Sequence, residues 1–307
     1  MSSKSVEKDV VIIGGGPAGM AASIWCSDLG LSNVVLEMDG STGGQLKKIF
    51  QPVRNYPGIR EIDPRKLADE FAEQAKALGG DLRIDSSAAS IDPEALRVEL
   101  ASGEGIKAKA AVLATGVRRR GLDLPGETEL YGVLESGAKQ AAETANSRVV
   151  IVGGGDAAFE NALILAKFAA DVTLVHHSSH FRARAEFLEP VRRHPKIRII
   201  ENAVITGLFG SDGKLQGVGL EGKNGVQRIE TDFLLVRIGV MPNSELVEGI
   251  VTRDAKGYVI IDANCETSVA MTFAVGDVAS PSAPTIATAA GQAATAVKVI
   301  KARLARP

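Results

Sequence analysis

The chain has 307 residues, 45% of them hydrophobic and 4% aromatic, with 33 glycines and a formal net charge of -2. That length accommodates two ordinary domains, and a glycine-rich, aromatic-poor balance points to an α/β protein with many tight strand-to-helix turns. Near-neutral charge without a basic, aromatic-interleaved stripe excludes a nucleic-acid partner, and the polar opening MSSKSVEKDV and lack of a membrane-length apolar run predict a cytoplasmic protein without a membrane partner.

The first apolar run, residues 10–13, is short and β-branched and stops at Gly14-Gly15-Gly16-Pro17-Ala18-Gly19. A helix over residues 20–29 follows, with Gly30 placed to end it, and residues 34–36 form a second buried strand that finishes in Glu37. Gly14-x-Gly16-x-x-Gly19 between a strand and a helix is the dinucleotide fingerprint. The first glycine permits the tight turn, the second lets the backbone approach a diphosphate, and the third lets helix pack close to strand. Glu37 stands where an acid accepts hydrogen bonds from ribose hydroxyls. Asp63 and Pro64 open an amphipathic helix over residues 63–78, and residues 108–114 form a buried strand running into Thr115-Gly116.

A second unit repeats the first: a strand at residues 149–152, then Gly153-Gly154-Gly155-Asp156-Ala157-Ala158, a helix over 159–169, and a strand over 172–175. Gly153-x-Gly155-x-x-Ala158 is a second fingerprint, so two nucleotide sites are expected. The strand after it ends in His176-His177-Ser178 rather than in an acid, with Arg182 nearby. Three histidines, His176, His177 and His180, lack a carboxylate or cysteine at ligand spacing, and no metal is expected. Residues 197–238 alternate short strands with turns such as Ser211-Asp212-Gly213 and Lys223-Asn224-Gly225, the pattern of an antiparallel excursion. A last strand over residues 271–275 runs into Gly276-Asp277, and a helix from about Thr285 to Arg303 closes the chain. The two cysteines, Cys26 and Cys265, are far apart and are expected to be buried apolar side chains.

Taken together and in order, GGGPAG, GGQL at 43–46, NYPG at 55–58, ATG at 114–116, GGGDAA, VTLVHHSSHFRA, IGVMPN at 238–243 and FAVGD at 273–277 resemble the thioredoxin reductase branch of the FAD-dependent pyridine nucleotide oxidoreductases. The resemblance implies two Rossmann-like nucleotide-binding domains with antiparallel β excursions: FAD on residues 1–117 and 246–307, NAD(P) on an inserted domain over 118–245. It places Gly44, Gln45, Leu46, Asn55, Thr115, Gly116 and Gly276 around FAD, has Asp277 bond the ribityl chain, and aims the helix beginning at Thr285 and Ile286 at the flavin's N1/O2 edge. NADPH or NADH would lie on Gly153, Gly155, Asp156, Ala157, Ala158, His177 and Arg182. A homodimer is implied as well.

The departures carry as much weight. The family has a C-x-x-C pair just before the second fingerprint; here residues 134–139 read LESGAK, with no cysteine. The family's HRR is HHS here, which leaves Arg182 as the one arginine kept from its 2′-phosphate signature, and Pro284-Thr285 replaces its Arg-Gln pair. Poor discrimination for NADPH over NADH, or weak use of both, is expected, since imidazole is a weak substitute for a permanently charged guanidinium. Three readings stand. One is an FAD enzyme passing electrons from NAD(P)H to an external acceptor, as ferredoxin/flavodoxin reductases of this type do; Phe50 matches their aromatic near the flavin, and Lys47, Lys48 and Arg54 suit either an acidic electron-carrier protein or an ordinary solvated face. Those reductases extend past the last helix, whereas this chain stops at Pro307. The second is a flavoprotein whose second site is degenerate or takes another ligand, and the third is a non-enzymatic flavin-binding redox sensor. No catalytic side chain is named, because the flavin carries the chemistry.

Overall fold

The computed structural model describes residues 6–49, 51–223 and 225–305. Phe50, and Asn224 of the expected turn at 223–225, lie outside the described residues. The chain forms two units: unit 1, Met1–Arg118 with Met241–Pro307, and unit 2, Arg119–Val240, inserted between its halves. The return crossing comes before the 245/246 position expected from sequence. Asn243 already bonds into unit 1, its Nδ2 donating to Thr115 O at 2.8 Å while Thr115 Oγ1 donates to Asn243 O at 2.5 Å.

Unit 1 begins with β1 (Val6–Ile13), and Pro17 opens α1 (Pro17–Asp28) at the position where a missing N–H costs nothing. The helix therefore starts at Pro17 rather than at Met20. Gly30, at φ +70°, turns the chain back into β2 (Asn33–Leu36). α2 (Pro64–Ala77) is capped by Asp63, whose carboxylate accepts from the amides of Arg65 and Lys66 at 2.8 and 3.2 Å. Next come β3 (Asp81–Arg83), β4 (Ala88–Asp92), β5 (Arg97–Leu100) and β6 (Gly105–Leu113). Among the described residues the sheet runs β3-β2-β1-β6-β5-β4. β1 is parallel to β2 and β6, with Ile13 level with Leu36 and Leu113, while the β4–β5 ribbon is antiparallel. Strand order reverses between β1 and β6, which opens a crevice at their carboxyl ends.

The chain leaves through β7 (Val117–Arg119). Unit 2 holds β8 (Val133–Leu134), β9 (Arg148–Val152), α3 (Asp156–Leu165), β10 (Asp171–His176), α4 (Ala185–Arg193), β11 (Ile197–Glu201), β12 (Val204–Ser211), β13 (Lys214–Gly222), β14 (Gly225–Glu230) and β15 (Phe233–Val236). Its parallel sheet runs β11-β10-β9-β15-β8 among the described residues. The antiparallel excursion is narrower than residues 197–238, being confined to β12, β13 and β14. β15 is buried at every position, as a central parallel strand must be.

After β16 (Val240–Pro242), unit 1 resumes with β17 (Thr272–Ala274), which joins β6, and α5 (Ile286–Leu304). The Thr285 hydroxyl caps α5 by accepting from Thr288 N at 3.1 Å. Ala18, Ala21 and Ala22 of α1 share one core with Ala289, Ala293 and Ala296 of α5; such small side chains let two helices pack closely over the sheet. Among the described residues no helix is long and apolar enough to cross a membrane.

Candidate functional site

At the carboxyl ends of β1, β2 and β6, unit 1 contains a cavity of about 610 Å³, within the usual range of about 300–1,000 Å³ for small-molecule sites. The glycines that border it divide the work. At Gly14 (φ +109°) a Cβ would stand 2.4 Å from Ala114 O, and at Gly19 it would stand 1.9 Å from Gly14 O, so both positions are closed by backbone. At Gly16 the nearest atom to a Cβ is Gly44 Cα at 3.9 Å. Gly16, Pro17 and Ala18 line the cavity, whereas Gly19 packs behind the turn.

Glu37, 7% exposed, is held at both oxygens: Oε2 accepts from Gly15 N at 2.8 Å and Oε1 from Asp39 N at 2.9 Å. This fixes an acid at the end of β2 with its remaining lone pairs available to the cavity. Gly44, Gln45 and Leu46 lie in a single 3-10 turn, anchored by Gly43 N on Gly15 O at 2.8 Å and by Gln45 Nε2 on Val117 O at 2.6 Å. Thr115, Gly116, Gly276, Asp277, Thr285 and Ile286 also line the cavity. Gly276 N donates to Gln292 Oε1 at 2.8 Å, which ties the turn carrying Asp277 to α5. The half-buried Asp277 carboxyl has no hydrogen-bond partner among the described residues, and burial raises its pKa above the ordinary carboxylate value. The N-terminus of α5, at Thr285 and Ile286, forms part of the same wall, where the first amides of a helix lack intrahelical acceptors.

Asn55 is the exception: it is exposed and is not among the residues lining the cavity. The bridge between Val53 and Ile62 and the Arg54–Glu61 ion pair (2.8 Å) close a loop that leaves Asn55 facing outward. Conversely, Arg118 and Glu245 line the cavity without having been expected there. Arg118 donates to Asn243 Oδ1 at 2.9 Å and to Glu245 Oε1 at 2.6 Å. Neither belongs to a local spacing pattern, and Asn243, part of IGVMPN, was the one available signal.

In unit 2 the second turn repeats this division. A Cβ at Gly153 (φ +148°) would stand 2.2 Å from Arg237 O, whereas one at Gly155 would meet nothing within 4 Å. Ala158 is fully buried and Ala157 exposed. Asp156, first in α3, is engaged by Arg184, a residue absent from the expected set: its carboxylate accepts from Arg184 N at 2.7 Å and Nε at 2.6 Å. His176 packs under the turn, its ring 2.4 Å from where a Cβ on Gly154 would be. Burial, then the neighbouring His177, lowers the His176 pKa. Arg182 N donates to Gly154 O at 2.8 Å, which brings the Arg182 segment back to the turn while the His177 and Arg182 side chains stay exposed. Among the described residues no group of His, Cys, Asp or Glu is arranged to hold a metal ion. Cys26 and Cys265 are both free and buried. Burial, with smaller contributions from Asp9 and Asp262 respectively, pushes their thiols up to about 12 and about 11.

Two Rossmann-like units, one inserted in the other and each built on a glycine turn, define an α/β protein of the dinucleotide-fold class. The chain matches the family model described as pyridine nucleotide-disulphide oxidoreductase over residues 8–294, and it belongs to that family. It is 35% identical over 305 residues to a thioredoxin reductase of Mycolicibacterium smegmatis, covering 96% of each chain. It is 31% identical over 280 residues to a Clostridium pasteurianum protein described as a 34.2 kDa protein in a rubredoxin operon, covering 89% of each. Among solved structures it is similar to Lactococcus lactis thioredoxin reductase in the FR conformation, with a TM-score of 0.82, 30% identity, and coverage of 95% of this chain and 97% of that one.

Proposed function

We propose that the protein is an FAD-dependent oxidoreductase that moves electrons from NADH or NADPH to an external acceptor without a dithiol of its own. The observation that carries this reading is a conjunction: both glycine turns are kept, while the two cysteines of the chain are single, buried and held as thiols. A thiolate is needed for disulfide exchange, and neither site favours one.

The cavity of unit 1 fits FAD. Gly16 lines the cavity at the start of α1, where its lack of a side chain lets a diphosphate approach the backbone, and Glu37 is oriented for ribose hydroxyls. Asp277, a partly desolvated acceptor without a donor among the described residues, suits the hydroxyls of the ribityl chain. Gly44, Gln45 and Leu46 would flank the ring, and the N-terminus of α5 would favour negative charge at its edge. When bound, the flavin supplies hydride acceptance from a dihydronicotinamide and electron delivery to the acceptor. The protein's part is to bind, orient and exclude water, so no side chain is assigned as acid, base or nucleophile.

The acceptor class we favour is a small acidic electron carrier, in keeping with a relative named for a rubredoxin operon. Of the cations suited to it, Lys48 lines the cavity, Arg54 is paired with Glu61, and Lys47 bonds Ser41. The exposed His177 beside Ser178, in place of an arginine pair, favours a second reading in which unit 2 binds nicotinamide weakly or takes a different ligand.

Anaerobic mixing of the purified protein with NADH or NADPH tests the proposal. Bleaching of the visible flavin absorbance, kept in a C26S/C265S variant and unaccompanied by thioredoxin-dependent insulin reduction, is expected. A flavin that stays oxidised with both nucleotides would refute electron entry from nicotinamide.

A further inference from the structure

Unit 2 carries a pair of cations that its glycine turn alone does not explain. Arg237 follows β15; its amide donates to Val152 O at 2.7 Å, directly beside Gly153. Its guanidinium donates to Val236 O at 2.6 Å and to Glu135 O at 3.1 Å. Arg119 donates to the same Glu135 carbonyl. Two cations therefore share one neutral acceptor.

Neither guanidinium has a carboxylate at ion-pair distance among the described residues; the Glu135 side chain acts on Arg119 from farther away. Arg237 is half-buried and Arg119 exposed beside it, so the pair is accessible from solvent. Burial, then the charge of Arg119, brings the Arg237 pKa down to about 10, which marks an unusually poorly compensated cation for a group that ordinarily stays protonated above pH 12. Partly desolvated like charges are unfavourable unless an anion joins them, and the guanidinium fork is shaped for phosphate oxygens.

Position narrows the anion. In the order β10-β9-β15-β8, Arg237 stands at the end of β15, on the opposite side of the β9 turn from His177 and Arg182, which follow β10. A dinucleotide laid across such an edge puts its diphosphate at the glycine turn and one nucleotide to each side, the adenosine half toward the β10 equivalent. The arginines occupy the other side. We propose that Arg119 and Arg237 form an anion site that grips the diphosphate of a pyridine dinucleotide from its nicotinamide side. This rests on reading unit 2 as the nicotinamide unit.

The test is calorimetric titration of the full chain as purified, wild type against R237Q, R237K and R119Q, with NADH, NADPH, ADP-ribose, AMP and inorganic pyrophosphate. Expected is a loss of about tenfold or more in affinity for NADH, NADPH, ADP-ribose and pyrophosphate in R237Q, an intermediate loss in R237K, and AMP affinity unchanged in all. Unchanged dinucleotide affinity with a lowered unfolding temperature would overturn the proposal, reducing both arginines to clamps on the Glu135 carbonyl while leaving the nicotinamide reading intact. A wild-type protein that binds pyrophosphate through these arginines but neither dinucleotide would instead overturn the nicotinamide reading, and the assignment of the ligand with it.

Discussion

Replacing Glu37 by Gln removes one acceptor from a carboxylate that is 7% exposed and holds two backbone amides, Gly15 N at 2.8 Å and Asp39 N at 2.9 Å, one on each oxygen. A carboxylate accepts at both ends, whereas the amide of Gln presents one oxygen and one NH2. Whichever way the new side chain turns, one backbone N–H faces a second donor. A buried donor left without its acceptor costs about 1–3 kcal/mol, and exchanging a charged for a neutral acceptor at the other amide removes about 1 kcal/mol more. The expected loss is therefore about 2–4 kcal/mol in the stability of unit 1, before any ligand is considered. The assay is favourable because Trp25, the single tryptophan of the chain, lies on α1, so its fluorescence during urea unfolding of the apoprotein reports the unit that carries Glu37. The same variant should hold FAD at least tenfold more weakly, since ribose hydroxyls lose a charged acceptor. An apoprotein that unfolds within about 0.5 kcal/mol of wild type and keeps full FAD occupancy would show that the two amide contacts do not hold the turn.

The glycines should separate by function: Gly16→Val, whose Cβ would meet only Gly44 Cα, at an ordinary contact distance of 3.9 Å, should strip FAD with little change in apoprotein stability. Gly19→Ala, with its Cβ 1.9 Å from Gly14 O, should cost about 1–3 kcal/mol or more in the same urea assay; equal behaviour of the two variants would contradict the geometry. Asp277 has a folded pKa raised by burial, so its contribution to stability is most favourable below the ordinary carboxylate range and is lost as pH rises through the folded value. Asp277→Asn should therefore make the apoprotein more stable at pH 7, by less than about 1 kcal/mol because the side chain is still partly solvated, with the difference vanishing toward pH 3; parallel pH profiles would count against it. Finally, Arg at positions 177 and 178 together should lower the Michaelis constant for NADPH about tenfold at pH 8 while NADH is unaffected, and an unchanged preference would mean that the exposed His177 and the half-buried Ser178 do not meet the 2′-phosphate.

Signals that act over a few residues were legible in the chain, because the physics they encode is local. Asp63-Pro64 opens α2 and Thr285 opens α5 through side-chain acceptors that reach only their own first turn. The glycine turns were legible for the same reason, since a positive φ at Gly14 or Gly153 is a property of one residue. What each turn faces is another matter. Gly14 is closed by Ala114 and Gly153 by Arg237, residues brought there by strand pairing, and no spacing rule announces such partners. The same distance explains why Arg118 and Glu245 entered the cavity unannounced, and why Asn55, placed there by resemblance, did not: the first two meet across the β7 and β16 ends, while Asn55 is turned outward by the Val53–Ile62 bridge. β11 and β15 were read as part of an antiparallel excursion because alternation in a short strand cannot name its neighbour, and only pairing with β10 and β9 makes them parallel. The consequence reaches the chemistry. Once β15 is a central strand beside β9, its last residue must emerge at the second glycine turn, and that residue's successor is Arg237; an arginine that looks incidental in the sequence becomes, through one change of strand pairing, a charge at the edge of a nucleotide crevice.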